Sequence, residues 1–408
     1  MTGQLSRRLI LLLATACGAA VASNYYAQPL LPAIGSGLGV ADATAGLLVT
    51  AGQVGYTVGL ALLVPLGDLL ERRRLITRML VVASAGLVVA AVAPDIAVLA
   101  AALAVVGTTT VVAQIIVPMT ASLAADNDRG RAVGTVMSGL MIGMLLARVV
   151  SGLIASVAGW RAVFIVAAAI LALLTVILGK ALPVTGPGPA MPYRALLQSV
   201  FSLVRAEPVL RQRMALGAVA MGCFSILWTS VAFLLSGPPY HYSVAVIGLF
   251  GLAGLAGAGA APVVGRLADR GHGRQATLAV MVILLVSWGL LDLGARSLAA
   301  LVPGIILLDL SAQALHISNQ SAIYALGSQV RSRLNTAYMV AYFIGGATMS
   351  AATTVVYGTA GWNGVCVLGG LTAAAGTAIW LSVHRRVRAR LPRWAVRRSC
   401  RPRPCRGR

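Results

Sequence analysis

Gly265-Arg266-Leu267-Ala268-Asp269-Arg270-Gly271-His272-Gly273-Arg274 is a basic, glycine-rich run set between two long apolar stretches. A partner lies in the other half of the chain, at Gly67-Asp68 followed by Arg72-Arg73-Arg74. Around this pair the chain repeats itself at an offset of 202 residues. Arg129-Gly130-Arg131 answers to Arg331-Ser332-Arg333, Met137 to Met339, Gly143 to Gly345, and Gly159-Trp160 to Gly361-Trp362. The basic loop pair is one residue out of that step. Two similar halves are therefore expected, each with its charged loop in the same place.

What separates these loops is apolar. The chain has 408 residues, 59% hydrophobic and only 10% charged, with a mean hydropathy of +0.89. Soluble domains carry about 25% charged residues, so lipid is the expected solvent. Twelve stretches are long enough to span a bilayer of ~30 Å at 1.5 Å per helical residue. They cover 8–28, 44–66, 75–93, 96–123, 132–157 and 162–182, then 214–236, 244–264, 275–294, 298–325, 334–358 and 363–383. None alternates polar and apolar residues as a β-barrel strand would, and backbone in lipid must satisfy its own hydrogen bonds. The expected fold is all-α: six spans at 1–182, a linker at 183–213, six spans at 214–383 and a basic tail at 384–408.

Charge placement sets the orientation. Arg72, Arg73, Arg74, Arg129, Arg131, Lys180, Arg194, Arg205, Arg211, Arg213, Arg266, Arg270, Arg274, Arg331 and Arg333 all follow even-numbered spans. Arg7 and Arg8 precede the first, whereas Arg161 and Arg296 alone occupy the opposite loops. Positive loops stay in the cytoplasm, so both termini are expected there. Arg7-Arg8, an apolar run and Ala20-Val21-Ala22-Ser23 also resemble a cleavable signal peptide. The repeat requires the first span as partner of the seventh, so the segment reads as an uncleaved helix.

The net charge of +22 reflects this topology and the tail, where eleven arginines lie between Arg385 and Arg408. Such a tail suits anionic lipid rather than nucleic acid. Cys17, Cys223 and Cys366 fall inside apolar runs, where a thiol acts as a small hydrophobe. No spacing suggests a metal site, a cofactor or a G-x-x-x-x-G-K-[ST] nucleotide loop. A monomer is expected.

The run at 265–274 closely resembles the loop signature of major facilitator superfamily transporters, borne after their second and eighth helices. Asn24-Tyr25-Tyr26-Ala27-Gln28-Pro29-Leu30-Leu31 and His316-Ile317-Ser318-Asn319-Gln320-Ser321 look like the bacterial twelve-span drug:proton antiporter branch, among its arabinose and purine-nucleoside efflux permeases. The likeness covers residues 5–383. It implies alternating access between two bundles, with Asp68 and Asp269 capping neighbouring helices and Arg73, Arg270 and Arg274 as gating cations. The first copy departs from the signature at Val64 and Leu69-Leu70-Glu71. In span 5 the antiporter pattern keeps Gly139 and Gly143 but has Met144 for its proline and Ala147-Arg148 for its last glycines. Leu103 stands near the position of the family's intramembrane arginine in span 4.

Charges inside apolar helices are costly and face a cavity or a partner. Asp292 lies near the end of span 9 and is of less interest. Asp309 sits ~16 Å and Arg148 ~14 Å from the same membrane face, a depth that allows an ion pair. Gln313, His316 and Gln320 continue a polar stripe from Asp309 along one face of span 10. A carboxylate there, or His316, could trade a proton for substrate as its solvation changes. Asn24, Tyr25, Tyr26, Gln28, Gln53, Tyr56, Gln114, Asn335, Tyr338 and Tyr342 are candidate substrate contacts. Gly248, Gly251, Gly254 and Gly257 of span 8, with Gly139 and Gly143 of span 5, are expected where the halves meet and slide.

The expected function is proton-driven efflux of a small, neutral or weakly cationic, partly apolar solute. The alternatives are uncoupled passage or uptake of a sugar or nucleoside, or a non-transporting membrane sensor that uses the basic tail as its output.

Overall fold

The computed structural model describes residues 6–125, 127–184, 192–254, 273–327 and 330–390. The loop at 265–272 with Asp269 and Arg270, the side chain of Arg274, Gly257, and the tail beyond Arg390 lie outside the described residues. The first half comprises α1 (Arg7–Ala22), α2 (Leu31–Leu38), α3 (Asp42–Leu62), α4 (Arg72–Val92), α5 (Ile96–Thr110), α6 (Ala113–Leu123) and α7 (Arg129–Ala181). A linker helix, α8 (Tyr193–Ala206), follows. The second half comprises α9 (Pro208–Ser236), α10 (Val244–Leu249), α11 (Gly273–Leu293), α12 (Leu298–Tyr324) and α13 (Arg331–Arg390). The protein is an all-α membrane protein of twelve spans in two six-helix bundles.

Among the described residues, eight helices are long and apolar enough to cross a membrane. The 53 residues of α7 would extend ~80 Å as one straight helix, far beyond a ~30 Å hydrocarbon core. That helix instead bends at Gly159 (φ 80°, ψ 165°), and α13 bends at the repeat-related Gly361 (φ 59°, ψ −155°). Each therefore supplies two spans. These φ/ψ pairs belong to a region nearly closed to residues with a Cβ, which is why glycine stands at both places. The bundles' outer surface is apolar: Val92, Val157, Val355 and Leu371 are all exposed. A contiguous surface of this kind is stable against lipid chains, not water.

Among the described residues, the α-helix of span 8 gives way at Phe250–Gly254 to a 3-10 turn, and spans 1 and 4 also differ from the unbroken helices expected. Span 1 stops at Ala22, turns through 23–27, and resumes as a 3-10 turn at Gln28–Leu30 and then α2. Pro29 and Pro32 lack N–H groups and are tolerated only in the first turns of the renewed helices. Span 4 breaks at Val111-Val112, between α5 and α6. There Thr108, Thr109 and Thr110 each donate a hydroxyl hydrogen bond to a carbonyl one turn back, an arrangement that bends helices. Pro118 inside α6 removes a further backbone donor. The two breaks face each other, because Asn24 Nδ2 donates to Thr110 Oγ1 at 2.9 Å.

Glycine controls how closely helices approach. Gly139 and Gly143 pack on Ala14 and Gly18 of α1, so they meet within the first half and not across the halves as expected. Their spacing leaves backbone against backbone, and the partner is the nearest helix of the same bundle. The halves meet instead where Gly152 of α7 touches Val244 and Gly248 of α10. On the other flank, α3 runs against α13, with Thr50 Oγ1 donating to Ser350 Oγ at 3.0 Å. A Cβ at Gly46 would stand 2.5 Å from Thr354 Cγ2. These contacts close the end of the molecule opposite the arginine-rich loops.

Candidate functional site

Where the bundles face each other lies a cavity of about 40 Å³. One water needs roughly 10–15 Å³ by this measure, so the space suits a few waters or a small group. Among its lining residues are Tyr25, Met141, Met144, Leu145, Arg148, Met221, Phe224, Asp309, Gln313 and Tyr342. Arg148 comes from α7 in the first half and Asp309 from α12 in the second.

These two charges do not form the direct ion pair that their depths allow, because Trp228 of α9 stands between them. Its indole Nε1 donates to Asp309 Oδ1 at 3.0 Å, while the Arg148 guanidinium lies 3.8 Å from its ring centroid. Tyr25 and Phe224 complete an aromatic box around that cation, at 5.1 and 5.3 Å. A cation over aromatic faces is stabilised by the ring quadrupole, most strongly when desolvated. Arg148 Nε donates to Gln28 Oε1 at 2.8 Å, but its Nη2 has no hydrogen-bond partner. At 1% exposure, Arg148 is among the largest fully buried side chains. Asp309 is 5% exposed.

Glycines make this approach possible. A Cβ at Gly248 would lie 2.6 Å from the Arg148 carbonyl oxygen, and one at Gly251 would lie 2.8 Å from Arg148 Cβ. At Gly254 it would meet Leu145 Cδ2 at 2.7 Å and Asp309 Oδ2 at 3.2 Å. The span 8 stripe therefore lets α7 and the Asp309 carboxylate close around one point.

From the cavity the polar stripe of α12 runs toward the arginine-rich end. Gln313 Nε2 points to Met141 Sδ at 3.7 Å. His316 packs against Tyr342 with centroids 4.7 Å apart and the rings tilted by 50°, and its Nδ1 is 3.0 Å from Tyr338 Oη. Gln320 Nε2 donates to Asn335 Oδ1 at 3.3 Å, which also accepts from Tyr324 at 2.9 Å. His316 and Tyr338 thus form a pair joined to the cavity through Tyr342, and Gln320, Asn335 and Tyr324 form a second cluster further along the second half.

The other candidates are placed more widely. Gln53 of α3 exchanges hydrogen bonds with Ser225 of α9, at 2.9 Å and 3.3 Å, and so links the halves. Tyr56 packs on Phe343 at 4.3 Å, also across the halves, and its hydroxyl neighbours Gln114. Asn24 is taken up by Thr110, and Tyr26 is buried away from the cavity lining. At the arginine-rich end Asp68 Oδ2 accepts from Ser332 Oγ at 3.5 Å, at the first turn of α13. The cation beside Asp68 is Arg72, at 3.7 Å, not Arg73. Glu71 caps α4 through the backbone N–H groups of Arg73 and Arg74, and the Arg73 side chain turns to the Leu182 carbonyl at 3.4 Å.

Sequence reasoning missed Trp228 and Phe224. A signal existed, since tryptophan favours the membrane–water interfaces and Trp228 stands mid-span. Phe224 lies one turn away, on the same face.

Residues 11–350 match the family model described as Major Facilitator Superfamily. The uncharacterized transporter YgaY of Escherichia coli O157:H7 is 46% identical over 377 residues, covering 92% of this chain and 96% of its own. The Streptomyces coelicolor protein SCO4007 is 38% identical over 365 residues, covering 89% of this chain and 85% of its own. A solved structure of a nucleoside transporter NupG variant superposes with a TM-score of 0.77 at 13% identity, over 92% of this chain and 99% of that one.

Proposed function

Since the chain belongs to the Major Facilitator Superfamily and is a membrane transporter, we propose that it exports a small organic solute in exchange for protons by alternating access. The observation that carries this reading is the buried Arg148–Trp228–Asp309 arrangement, with its cation on one bundle and its carboxylate on the other. A charged group in the membrane interior persists where it does work. Asp309 has a single side-chain donor, the neutral indole N–H, and its Oδ2 is left for a proton or a solute. When the bundles rock apart, the indole and the guanidinium separate and the carboxylate's surroundings change. Proton loading is then tied to which end is open.

In this reading the drug:proton antiporter branch is the nearest functional relation, and the protein resides in the bacterial inner membrane with both termini in the cytoplasm. The driving force is the proton gradient, and no other cofactor is required. Tyr25, Gln313 and Tyr342 contact the solute, while His316, Tyr338, Gln320 and Asn335 carry protons or water toward the cytoplasm. Asp68, Arg72 and Ser332 latch the cytoplasmic end, with Asp269, Arg270 and Arg274 as the equivalent set of the second half. Anionic lipid lies against the basic face, and one copy of the chain is the working unit.

The test is solute counterflow in proteoliposomes with an imposed pH gradient, comparing the wild type with Asp309→Asn. The asparagine keeps an acceptor for Trp228 but cannot titrate. Gradient-driven accumulation should vanish in the variant while downhill exchange persists. An equal response of both proteins to the gradient would remove Asp309 from the coupling.

A further inference from the structure

The central cavity also constrains the chemistry of its solute. We infer that the solute is uncharged and presents a hydrogen-bond acceptor and a donor side by side, the acceptor held by Arg148 and the donor by Asp309. This rests on the proposed reading of the cavity as the transport site.

Charge balance is the first constraint. Arg148 and Asp309 are the charged side chains in the lining, and they cancel. A solute anion paired with Arg148 would leave the Asp309 carboxylate buried without a counterion, which is strongly unfavourable in low dielectric, and a solute cation paired with Asp309 would leave Arg148 Nη2 still without an acceptor. Sequence reasoning reached a neutral or weakly cationic solute by counting these two charges. The geometry narrows that to neutral, because the indole keeps the charges apart and each retains unused hydrogen-bonding capacity.

The second constraint is complementarity. A guanidinium has only donors and a carboxylate only acceptors. Arg148 Nη2 is buried without an acceptor in this state, and buried donors are seldom left so. Asp309 uses Oδ1 for Trp228 and leaves Oδ2 beside Gly254. A C=O next to an N–H, as in an amide, lactam or ureide edge, satisfies both at once. Met141, Met144, Leu145 and Met221 give the remainder of the solute an adaptable apolar wall.

This chemistry also makes proton and solute compete. Protonated Asp309 carries O–H at the oxygen that should accept from the solute, so donor meets donor and the solute is released. The aromatic box of Tyr25, Phe224 and Trp228 then holds the lone Arg148 cation. Mutual exclusion is what exchange transport requires.

The experiment uses the purified full chain in detergent and four single-ring probes measured by calorimetry: 2-pyridone, N-methyl-2-pyridone, benzoate and N-methylpyridinium. 2-Pyridone, with N–H beside C=O, should bind at least about tenfold more tightly than N-methyl-2-pyridone, which leaves a buried acceptor unmet. Both ions should bind no better than the methylated probe. Arg148→Gln and Asp309→Asn should each erase the preference for 2-pyridone. Preference for benzoate or N-methylpyridinium, or no 2-pyridone binding at millimolar concentration, would overturn the assignment. Repeating the titration in buffers of different ionisation heat counts protons. About one should be released per 2-pyridone bound at a pH where Asp309 is protonated, and none in Asp309→Asn. Preference without proton release would leave the solute class standing and sink the coupling, whereas proton release on binding an ion would do the reverse.

Discussion

The two halves of this transporter share a repeat but are built differently at the membrane centre. In the first half, spans 1 and 4 are interrupted, at 23–27 and at Val111-Val112, and the breaks are tied by Asn24 and Thr110. In the second, spans 7 and 10 run unbroken as α9 and α12 over 29 and 27 residues. The periphery keeps the symmetry, with glycine at positive φ before tryptophan at Gly159-Trp160 and Gly361-Trp362. Gly143 packs on Gly18 of span 1 as Gly345 packs on Ala218 of span 7. Symmetry is therefore retained where backbones must bend or touch, and abandoned where the halves confront each other with opposite charges. The half in which spans 1 and 4 are interrupted holds the cation, and the half in which spans 7 and 10 are continuous holds the carboxylate and the indole that separates the two.

The largest expected effect tests the contact between the halves. Gly248→Leu places a side chain where a Cβ alone would stand 2.6 Å from a backbone oxygen of Arg148, so the end opposite the arginine-rich loops cannot close. Transport should fall by more than about tenfold, as repacking a backbone contact costs at least 1–3 kcal/mol. Cysteine labelling of the cavity from that side should be faster in the variant than in the wild type. Unaltered transport would show that α7 and α10 need not approach so closely.

Next come the symmetric bends. Gly159→Ala and Gly361→Ala meet no atom within 4 Å, so their effect is backbone strain alone, about 1–3 kcal/mol each. Thermal unfolding in detergent should show two similar losses of stability. A marked difference would mean that the repeat hides unequal hinges.

The smallest effect separates spans 1 and 4 from spans 7 and 10. Asn24→Ala removes the hydrogen bond between the two breaks, worth about 1 kcal/mol, and should loosen the first half without touching the second. Hydrogen exchange should rise around 23–27 and 108–112 and stay unchanged in α9 and α12. Uniform change, or none, would deny the breaks a shared role.

Much is legible in the sequence alone. Hydropathy located the spans because lipid demands long apolar helices whatever their neighbours. The 202-residue repeat paired Gly159 with Gly361, since only glycine takes the backbone angles found at both. Arg148 and Asp309 were marked by their depth alone, as charges are rare in such surroundings. Legibility stopped where the outcome depended on another segment. The three threonines and Pro118 that bend span 4 fall within an unbroken apolar stretch, and hydropathy does not register a hydroxyl bonded to its own helix. Gly139 and Gly143 announced a close approach without naming the partner.

What the sequence determined by itself was the solvent, the number of spans and the doubling of the fold, because these follow from composition along one chain. That Trp228 stands between Arg148 and Asp309, and that Asp68 meets Arg72 and Ser332, came from packing alone. Those choices depend on which faces of separate helices come together. In a bilayer, hydrophobicity does not select among them, so small residues and a few polar side chains make the choice.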